Sequence, residues 1–294
     1  MQNKFGAQRL CTDYGNEWKY EYKLINVAVI GLFNKKINKK NMLGEWSMHR
    51  FYVEPANIND GRVIIEGSDV NHIKNVLRLV SGDNIVICDG QGMDYYCIIS
   101  EVTKEQVIAD IDKKIECKAE LNNKIYLFQG LPKKDKMELI VQKSVELGVY
   151  EIIPVVMNRT IVKIDNEKKE LARINRWQTI ADEASKQSRR GILPQVHRLV
   201  SYKEALNMAK EMDIVILPYE KATDMSYTRK VIDKIAIDQT IGIFIGPEGG
   251  FDELEIELAE EIGCKPITLG SRILRTETAG LAIMSMLIYN LEDK

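Results

Sequence analysis

Two segments near the C-terminal end constrain the fold of this chain more than any other part of it. Ile241–Phe251 (IGIFIGPEGGF) and Ile267–Ala282 (ITLGSRILRTETAGLA) each begin as an apolar run, break at glycine and continue as a helix pattern. Strand–loop–helix junctions this close in sequence predict two strands lying side by side in a parallel sheet. Open α/β sheets bind ligands beyond the carboxyl ends of their strands, where such loops gather. We therefore expect the functional site at these two loops.

The second part of the chain reads as an α/β domain. After Asn122 apolar runs alternate with helix patterns, and continuous apolar runs are typical of a sheet covered on both faces. Asp135 with Glu138, and Asp252 with Glu255, predict capping boxes at two helix starts. The predicted strands are Ile125–Gln129, Ile152–Met157, Ile214–Leu217, Ile241–Ile245 and Ile267–Leu269.

A different pattern precedes this domain and predicts a small β-barrel, because several short strands follow one another at close spacing. These strands are Phe51–Val53, Arg62–Glu66, Asn84–Cys88, Tyr95–Val102 and Gln106–Ile111. A helix is predicted over Asp69–Val80, where Lys74 and Arg78 would share one face at i,i+4 spacing. The boundary between the two domains is expected near Cys117–Asn123.

Residues 1–47 differ from the rest because they have no sustained periodicity and end in a basic stretch, Asn34–Lys40. The codons GGA-GAA for Gly44-Glu45 would form a purine-rich ribosome-binding site before Met48, which opens a clear strand pattern. We expect translation to begin at Met48, and a native peptide from residues 1–47 would contradict this. The alternative is a basic arm that contacts RNA.

Composition excludes several function classes. The net charge of −2 means that any nucleic-acid binding depends on local basic patches. Five cysteines and three histidines have no zinc-type spacing, so we expect free thiols in a reducing cytosol and no metal site. No apolar run reaches the roughly 18 residues of a membrane span, and no signal-peptide pattern occurs, which predicts a cytoplasmic protein without membrane association.

The first loop, Gly246–Phe251, does not match either common phosphate-binding motif. Pro247 removes an amide donor and Glu248 adds negative charge, and both oppose phosphate binding. The glycines instead favour close backbone approach to a neutral or cationic ligand. The alternative is a plain glycine-rich turn that leads into a helix.

The second loop combines Gly270 with Arg272, Arg275 and Glu277, while Thr276 is placed to cap the following helix. Two arginines and a carboxylate beside a glycine turn favour a functional site. The alternative is an arginine–glutamate pair that only steadies the loop. The following helix is apolar nearly all round, which predicts burial in a core or in a dimer interface.

Three basic groups could form an electrostatic track for RNA phosphates if they converge on one side of the molecule. Each of them alone would be typical of solvated surface. The groups are Lys133-Lys134-Asp135-Lys136, the segment Lys186–Arg190, and Arg50 with Lys74 and Arg78.

From Met48 to Glu292 the chain resembles the RsmE family of ribosomal RNA uridine-N3 methyltransferases, part of the knotted SPOUT superfamily. The motifs that carry this resemblance are MHRFYV at Met48–Val53, QKSVELG at Gln142–Gly148, the helix end Glu183–Arg190, and the two loops Ile245–Phe251 and Leu269–Ala279. GPEGG together with LGxRxLRxETA is the most specific part. Nothing before Met48 matches.

The resemblance implies a SPOUT-type α/β methyltransferase domain with a parallel sheet and a C-terminal trefoil knot over residues 119–294, after a PUA-like RNA-binding barrel over residues 48–118. It also implies a homodimer, S-adenosylmethionine as co-substrate, no metal, and 16S ribosomal RNA of the small subunit as partner. The implied donor-binding residues are Leu217, Pro218, Tyr219, Glu220, Ile245, Gly246, Pro247, Glu248, Gly249, Gly250, Leu269, Gly270, Ile273 and Leu274.

For uridine N3 to attack a methyl group it must lose its imide proton, and an arginine would stabilise the negative charge left on O2 and O4. We expect Arg275 in this role and Arg272 second, with Glu277 orienting the arginine or acting as base. The expected RNA-binding residues are Arg50, His72, Lys74, Arg78, Lys133, Lys134, Arg159, Arg189 and Arg190.

Two other interpretations stay open from the sequence. One is a SPOUT enzyme that acts on a ribose 2′-oxygen or on another base. The other is a non-catalytic RNA-binding or assembly factor that retains the donor pocket.

Overall fold

The computed structural model describes residues 48–162 and 166–292, so the expectations for residues 1–47 lie outside the described residues. The strands are β1 (His49–Tyr52), β2 (Ile58–Asn59), β3 (Arg62–Glu66), β4 (Asn84–Cys88), β5 (Met93–Val102), β6 (Gln106–Glu116), β7 (Lys124–Gly130), β8 (Glu151–Val156), β9 (Gln195–Val196), β10 (Val200–Ser201), β11 (Ile214–Pro218), β12 (Thr240–Ile245) and β13 (Lys265–Ile267). The α-helices are α1 (Ser68–Asn71), α2 (Lys136–Glu146), α3 (Glu167–Ser188), α4 (Tyr202–Ala209), α5 (Met225–Asp233), α6 (Glu253–Glu261) and α7 (Thr276–Leu291). A 3-10 turn spans Pro55–Asn57, and a π-helical segment, His72–Leu77, continues α1.

The first sheet contains six strands in the order β1-β4-β5-β6-β3-β2. Its strands pair antiparallel except for β1 with β4, which run parallel. Alternate residues along each strand point into one core, as Val63 and Ile65 of β3 do between exposed neighbours. This confirms the predicted strands of the N-terminal part, although β5 and β6 are longer than predicted.

The helix predicted over Asp69–Val80 is present but ends three residues earlier than predicted. The helical segment ends at Leu77, and Arg78 adopts a left-handed conformation with φ of 57°. The amide of Leu79 donates to the Ile73 carbonyl at 3.0 Å and closes the helix end. Arg78 therefore leaves the helix and does not share a helical face with Lys74.

The second sheet is parallel throughout, with the strand order β10-β8-β7-β12-β11-β13 and β9 paired with β8. Buried apolar clusters lie on both of its faces, and in one of them Phe128 stacks on Phe244 at 4.4 Å between ring centroids. This confirms the α/β class and the continuous apolar strands, except that the strand predicted over Ile267–Leu269 lies at Lys265–Ile267 and shares only Ile267 with the prediction. The trefoil knot stays a prediction.

The two strands that lead into the glycine loops are not neighbours, which corrects the first expectation from the sequence. β11 lies between them, because it pairs with β12 through Ile214–Ile241 and with β13 through Ile216–Lys265. Three loops therefore gather at this sheet edge, since the segment after β11 lies between the other two.

One of the two predicted capping boxes is present. The amide of Asp252 donates to the Glu255 carboxylate at 2.8 Å, while the Asp252 side chain accepts from the first turn of α6. The box predicted at Asp135 is wrong, since its side chain makes no capping hydrogen bond. Glu138 instead forms an ion pair with Arg176 of α3 at 2.8 Å.

Helix α7 buries one face in the core and leaves another exposed. Gly280, Ile283, Met284, Leu287 and Leu291 are its buried residues after the first turn. Tyr289, in contrast, is 91% exposed. The prediction of an apolar helix in a core is confirmed for one face only.

Arg190 joins the first sheet to the second domain. Its side chain is only 3% exposed, pairs with Glu120 at 2.7 Å, and donates to the Val145 and Val149 carbonyls. Its own carbonyl accepts hydrogen bonds from Arg50, at 2.9 Å, and from the Tyr52 hydroxyl. One residue thus fixes the end of α2 and the start of the first sheet at the same place.

The free thiols that composition predicts are present at the described positions. Four described cysteines form no disulfide and are buried: Cys88, Cys97, Cys117 and Cys264. Cys11 lies outside the described residues. Burial raises the pKa of Cys88, Cys97 and Cys264 to about 12. In the part of the chain that the structure describes, no helix is both long and apolar enough to cross a bilayer.

We expect Arg190→Met to lower the free energy of unfolding by about 3–5 kcal/mol, because it leaves the Glu120 carboxylate buried without its partner. Urea denaturation followed by circular dichroism measures this change. The matched control is Arg198→Met, whose ion pair with Glu167 is exposed on both sides and contributes at most about 1 kcal/mol. Equal losses in the two variants would contradict the role given to Arg190.

Candidate active site

A cleft of about 480 Å³ lies at the carboxyl ends of β11, β12 and β13. Its walls come from the loops after these three strands and from the beginning of α7. The lining residues are Lys136, Pro218, Tyr219, Glu220, Ile245, Gly246, Pro247, Glu248, Gly250, Phe251, Thr268, Leu269, Gly270, Ser271, Arg272, Ile273, Leu274, Arg275, Thr276 and Ala279.

The structure brings most of the predicted donor-binding residues together in this cleft, with two exceptions. Leu217 is fully buried in the core beneath the sheet edge and does not line the cleft. Gly249 faces away and packs against Arg159, where an added Cβ would lie 3.0 Å from the Arg159 Cβ. Both residues were predicted from their positions in the family motifs. The fold decides whether a residue in such a motif faces the cleft or faces away from it.

Thr276 links the two glycine loops from below. Its hydroxyl donates to the Gly246 carbonyl at 2.6 Å and accepts from Gln129 Nε2 at 2.9 Å. The sequence predicted Thr276 as a helix cap, but it is the first residue of α7, and its hydroxyl bonds outside the helix. Gln129 is fully buried, and the sequence analysis did not identify it. A strand pattern does not show whether a glutamine points outward to solvent or inward to a polar partner.

Glycine is required where β7 approaches the GPEGG loop. A Cβ on Gly130 would lie 2.6 Å from the Pro247 nitrogen, which is too close for any side chain. On the opposite wall Gly270 has φ of +108°, a conformation that other residues rarely adopt. Gly130 thus permits the close approach of β7 to Pro247, and Gly270 permits the turn after β13.

Lys136, which the sequence grouped with the basic candidates for RNA binding, instead connects two carboxylates at the cleft. Lys136 Nζ lies 3.2 Å from Glu248 Oε1 and 3.1 Å from Glu277 Oε2. Glu248 also accepts from the Lys133 amide at 3.0 Å. Its place where a strand leads into a helix was visible in the sequence and puts it at the same sheet edge as the glycine loops, but its two carboxylate partners were not.

These contacts set the ionisation of the two carboxylates. Burial alone would raise the pKa of Glu248 and of Glu277, but backbone hydrogen bonds and Lys136 outweigh it, and both pKa values lie below the ordinary range. Arg275 contributes to the lowered pKa of Glu277. Both groups are therefore charged at neutral pH, and Glu277 is a poor proton acceptor.

Arg272 and Arg275 line the cleft from the loop before α7 and are exposed. Arg275 is the residue immediately before the helix and has an extended backbone. Neither side chain makes a hydrogen bond or an ion pair with another residue of the described ranges. The two guanidinium groups are thus available to a bound anion.

The predicted RNA-binding residues fall into two classes. Arg50 and Arg190 are engaged inside the protein, and Arg50 pairs with Asp94 at 2.7 Å with its side chain only 12% exposed. We therefore remove these two from the candidate phosphate contacts. Lys74 is half-buried and donates to the Thr103 carbonyl at 3.3 Å, while Arg159 donates to the Gly249 carbonyl at 2.9 Å.

The remaining basic candidates are exposed. Lys133 and Lys134 follow β7 and lie in the loop that contributes Lys136 to the cleft. His72, Arg78 and Arg189 are exposed at helix ends. No cluster of three or more metal-ligating side chains occurs within residues 48–162 and 166–292.

We expect Thr276→Val to lower the free energy of unfolding by about 1–3 kcal/mol, because the isosteric side chain leaves the Gly246 carbonyl and one of the two Gln129 Nε2 hydrogens unpaired, while the other still donates to the Gly130 carbonyl. Chemical denaturation measures the change. Thr278→Val, at an exposed position of the same helix, serves as control and should stay within about 0.5 kcal/mol of the parent chain. Indistinguishable variants would show that the hydroxyl does not hold the loops.

Comparison with known proteins agrees with this architecture. A family model for an RNA methyltransferase domain matches residues 119–288, and a model for an RNA methyltransferase PUA domain matches residues 65–112. These two matches correspond to the parallel sheet and to the first sheet.

The matches to individual relatives extend over nearly the whole length of each relative. The chain is 35% identical to the ribosomal RNA small subunit methyltransferase E of Bacillus subtilis (83% of this chain, 98% of the relative) and 34% identical to that of Mesomycoplasma hyopneumoniae (82% and 99%). A crystal structure of the Neisseria gonorrhoeae enzyme of the same name, bound to S-adenosyl methionine, superposes with a TM-score of 0.68 at 34% identity (82% and 97%). This chain belongs to the ribosomal RNA small subunit methyltransferase E family of RNA methyltransferases.

Proposed function

We propose that this chain transfers a methyl group from S-adenosylmethionine to N3 of a uridine in 16S ribosomal RNA of the small subunit. The observation that carries the proposal is the cleft itself. Three loops close around it, and two arginines without protein partners, Arg272 and Arg275, stand at its wall. Relatives with the small-subunit methyltransferase name support the substrate class.

The cleft fits a donor of this kind in size and in charge. Its volume of about 480 Å³ lies within the range of small-molecule sites. Glu220 and Glu248 place negative charge beside the glycine backbone, which suits a cationic ligand and opposes a phosphate. The residues that would hold the donor are Pro218, Tyr219, Glu220, Ile245, Gly246, Pro247, Glu248, Gly250, Leu269, Gly270, Ile273 and Leu274. When bound, the donor supplies an electrophilic methyl group on a sulfonium centre.

The protein's part in the chemistry is to hold the uracil ring and to stabilise its anion. As N3 loses its proton, negative charge develops on O2 and O4, and an unpaired guanidinium at hydrogen-bond distance would stabilise that charge. Arg275 is our first candidate for this role and Arg272 the second. Glu277 is not suited to act as base, because its pKa is lowered and its carboxylate pairs with Lys136. Positioning of donor and acceptor would supply much of the remaining rate.

We assign residues 48–118 to RNA binding and residues 119–294 to methyl transfer. The boundary falls in the connection between β6 and β7, and the two family models lie on either side of it. His72, Arg78, Lys133, Lys134 and Arg189 are the exposed basic residues that we propose as RNA contacts. Lys74 and Arg159 would contribute only by leaving their present backbone partners.

We further propose that the active form is a homodimer and that it works in the cytoplasm, where ribosomes assemble. Ile273 at the cleft is 86% exposed and Tyr289 on α7 is 91% exposed, and a second copy of the chain could cover such side chains. A single-chain mass in sedimentation equilibrium at micromolar concentration would contradict the dimer.

Arg275→Ala is expected to abolish methyl transfer to small subunits while donor affinity changes little, because the lost group would act only on the developing anion. Transfer from a labelled donor and calorimetric donor binding measure the two quantities. Arg229→Ala, an exposed arginine on α5, is the matched control and should retain parental turnover. Unchanged turnover in Arg275→Ala would remove Arg275 from the mechanism.

Removing phosphate contacts should weaken RNA binding and flatten its dependence on salt. We expect the double substitution of Lys133 and Lys134 by methionine to reduce the slope of log affinity against log salt by about 1–2. Filter binding to small-subunit RNA at several salt concentrations provides this slope. The pair Lys203→Met and Lys210→Met, both at exposed positions of or next to α4, controls for net charge, and an equal slope change there would contradict a localised RNA surface.

The reaction as a whole is tested in cells. Mass analysis of small-subunit RNA from a strain lacking the gene should reveal the loss of one methyl group from one uridine, restored by the wild-type gene and not by Arg275→Ala. A full methylation pattern in the deletion strain would contradict the proposal, and loss of a ribose methyl group would replace it with the 2′-oxygen alternative.

A further inference from the structure

We propose that Lys136 is a positioning residue for methyl transfer: by binding Glu248 and Glu277 at once, it holds the donor loop against the arginine segment and keeps Arg275 available to the substrate. This inference rests on the proposed function. It adds Lys136 as a residue that positions other groups of the site.

The geometry places Lys136 where three chain segments meet. It belongs to the first turn of α2, whereas Glu248 lies in the GPEGG loop and Glu277 in the first turn of α7. Its Nζ is 3.2 Å from one carboxylate and 3.1 Å from the other. One ammonium group thereby connects the loop after β7 to both glycine-loop segments, in addition to the buried link through Thr276.

The contact is partly shielded from water. The side chains of Lys136, Glu248 and Glu277 are 28%, 27% and 16% exposed. Isolated ion pairs on a protein surface contribute little to the free energy of unfolding. We therefore expect Lys136 to act mainly by fixing the positions of the two carboxylates. A group at the edge of a reactive cleft can affect turnover strongly even when it stabilises the fold weakly, since small displacements of reacting groups are costly.

The charges explain why a cation is needed at this position. Glu277 follows Arg275 by two residues, and Arg275 already lowers the pKa of Glu277 through space. Without Lys136, Glu277 would be left with Arg275 as its nearest cation. An arginine drawn into a carboxylate pair can no longer donate freely to O2 or O4 of uracil. Lys136 therefore offsets the negative charge of Glu277 from a distance of 3.1 Å and leaves the Arg275 guanidinium without a hydrogen-bonded protein partner.

The test compares four variants with the parent chain for methyl transfer to small subunits and for donor binding. Lys136→Met should lower kcat by about 10- to 100-fold, with a smaller change in the KM for RNA. Lys136→Arg should recover most of the rate, because it keeps the charge between the two carboxylates. Lys136→Met combined with Glu277→Gln should recover part of the rate, because the carboxylate that competes for Arg275 is gone. The control Lys210→Met, at the exposed end of α4, should match the parent.

Several results would overturn the inference. One is a parental kcat in Lys136→Met, and another is a double variant no faster than the single one. A loss that tracks thermal unfolding at the assay temperature, with no rescue by Lys136→Arg, would make the residue merely structural. The proposed function has its own separate outcome: if the parent chain transfers no methyl group, that function fails whatever the Lys136 variants do.

Discussion

The hydroxyl of Thr276 is the contact on which the geometry of the cleft depends. It bonds to the Gly246 carbonyl in one glycine loop while it begins the helix that follows the other, and it accepts from the buried Gln129 beneath them. The half of this link that joins Thr276 to Gln129 is buried and costly to break, because the Gln129 donor would stay dehydrated. The close approach of Gly130 to Pro247 then leaves the GPEGG loop little freedom to move. These contacts hold the loops that form the cleft in place at the sheet edge.

Much of this organisation could be predicted from the sequence, because local patterns specify local structure. The apolar runs predicted the strands of the parallel sheet, and Asp252 with Glu255 predicted a capping box that is present. Strand order could not be obtained this way: β11 enters between the two strands that are nearest in sequence. Strand order depends on hydrogen bonding between strands that are distant in sequence. The hydrophobic periodicity within one strand carries no information about it.

The fate of the charged residues is the clearest case of information missing from the sequence. Arg50 and Arg190 were predicted to contact RNA, yet Arg50 pairs with Asp94, Arg190 pairs with Glu120, and Arg50 also donates to the Arg190 carbonyl. Lys136 stands in a similar basic run and proves to lie at the cleft between Glu248 and Glu277. Whether an arginine or a lysine binds RNA, holds the fold or arranges a site depends on which groups the fold brings to it. Composition and spacing do not fix that.

Our proposal for the cleft is that it delivers a methyl group to uridine N3. The most direct measurement incubates the purified chain with isotopically labelled S-adenosylmethionine and small subunits from cells lacking the gene, and then identifies the labelled nucleoside by chromatography and mass spectrometry. We expect the label to appear in 3-methyluridine from one position of the 16S RNA. Label in a 2′-O-methylated nucleoside or in another base, or no label in RNA at all, would contradict it.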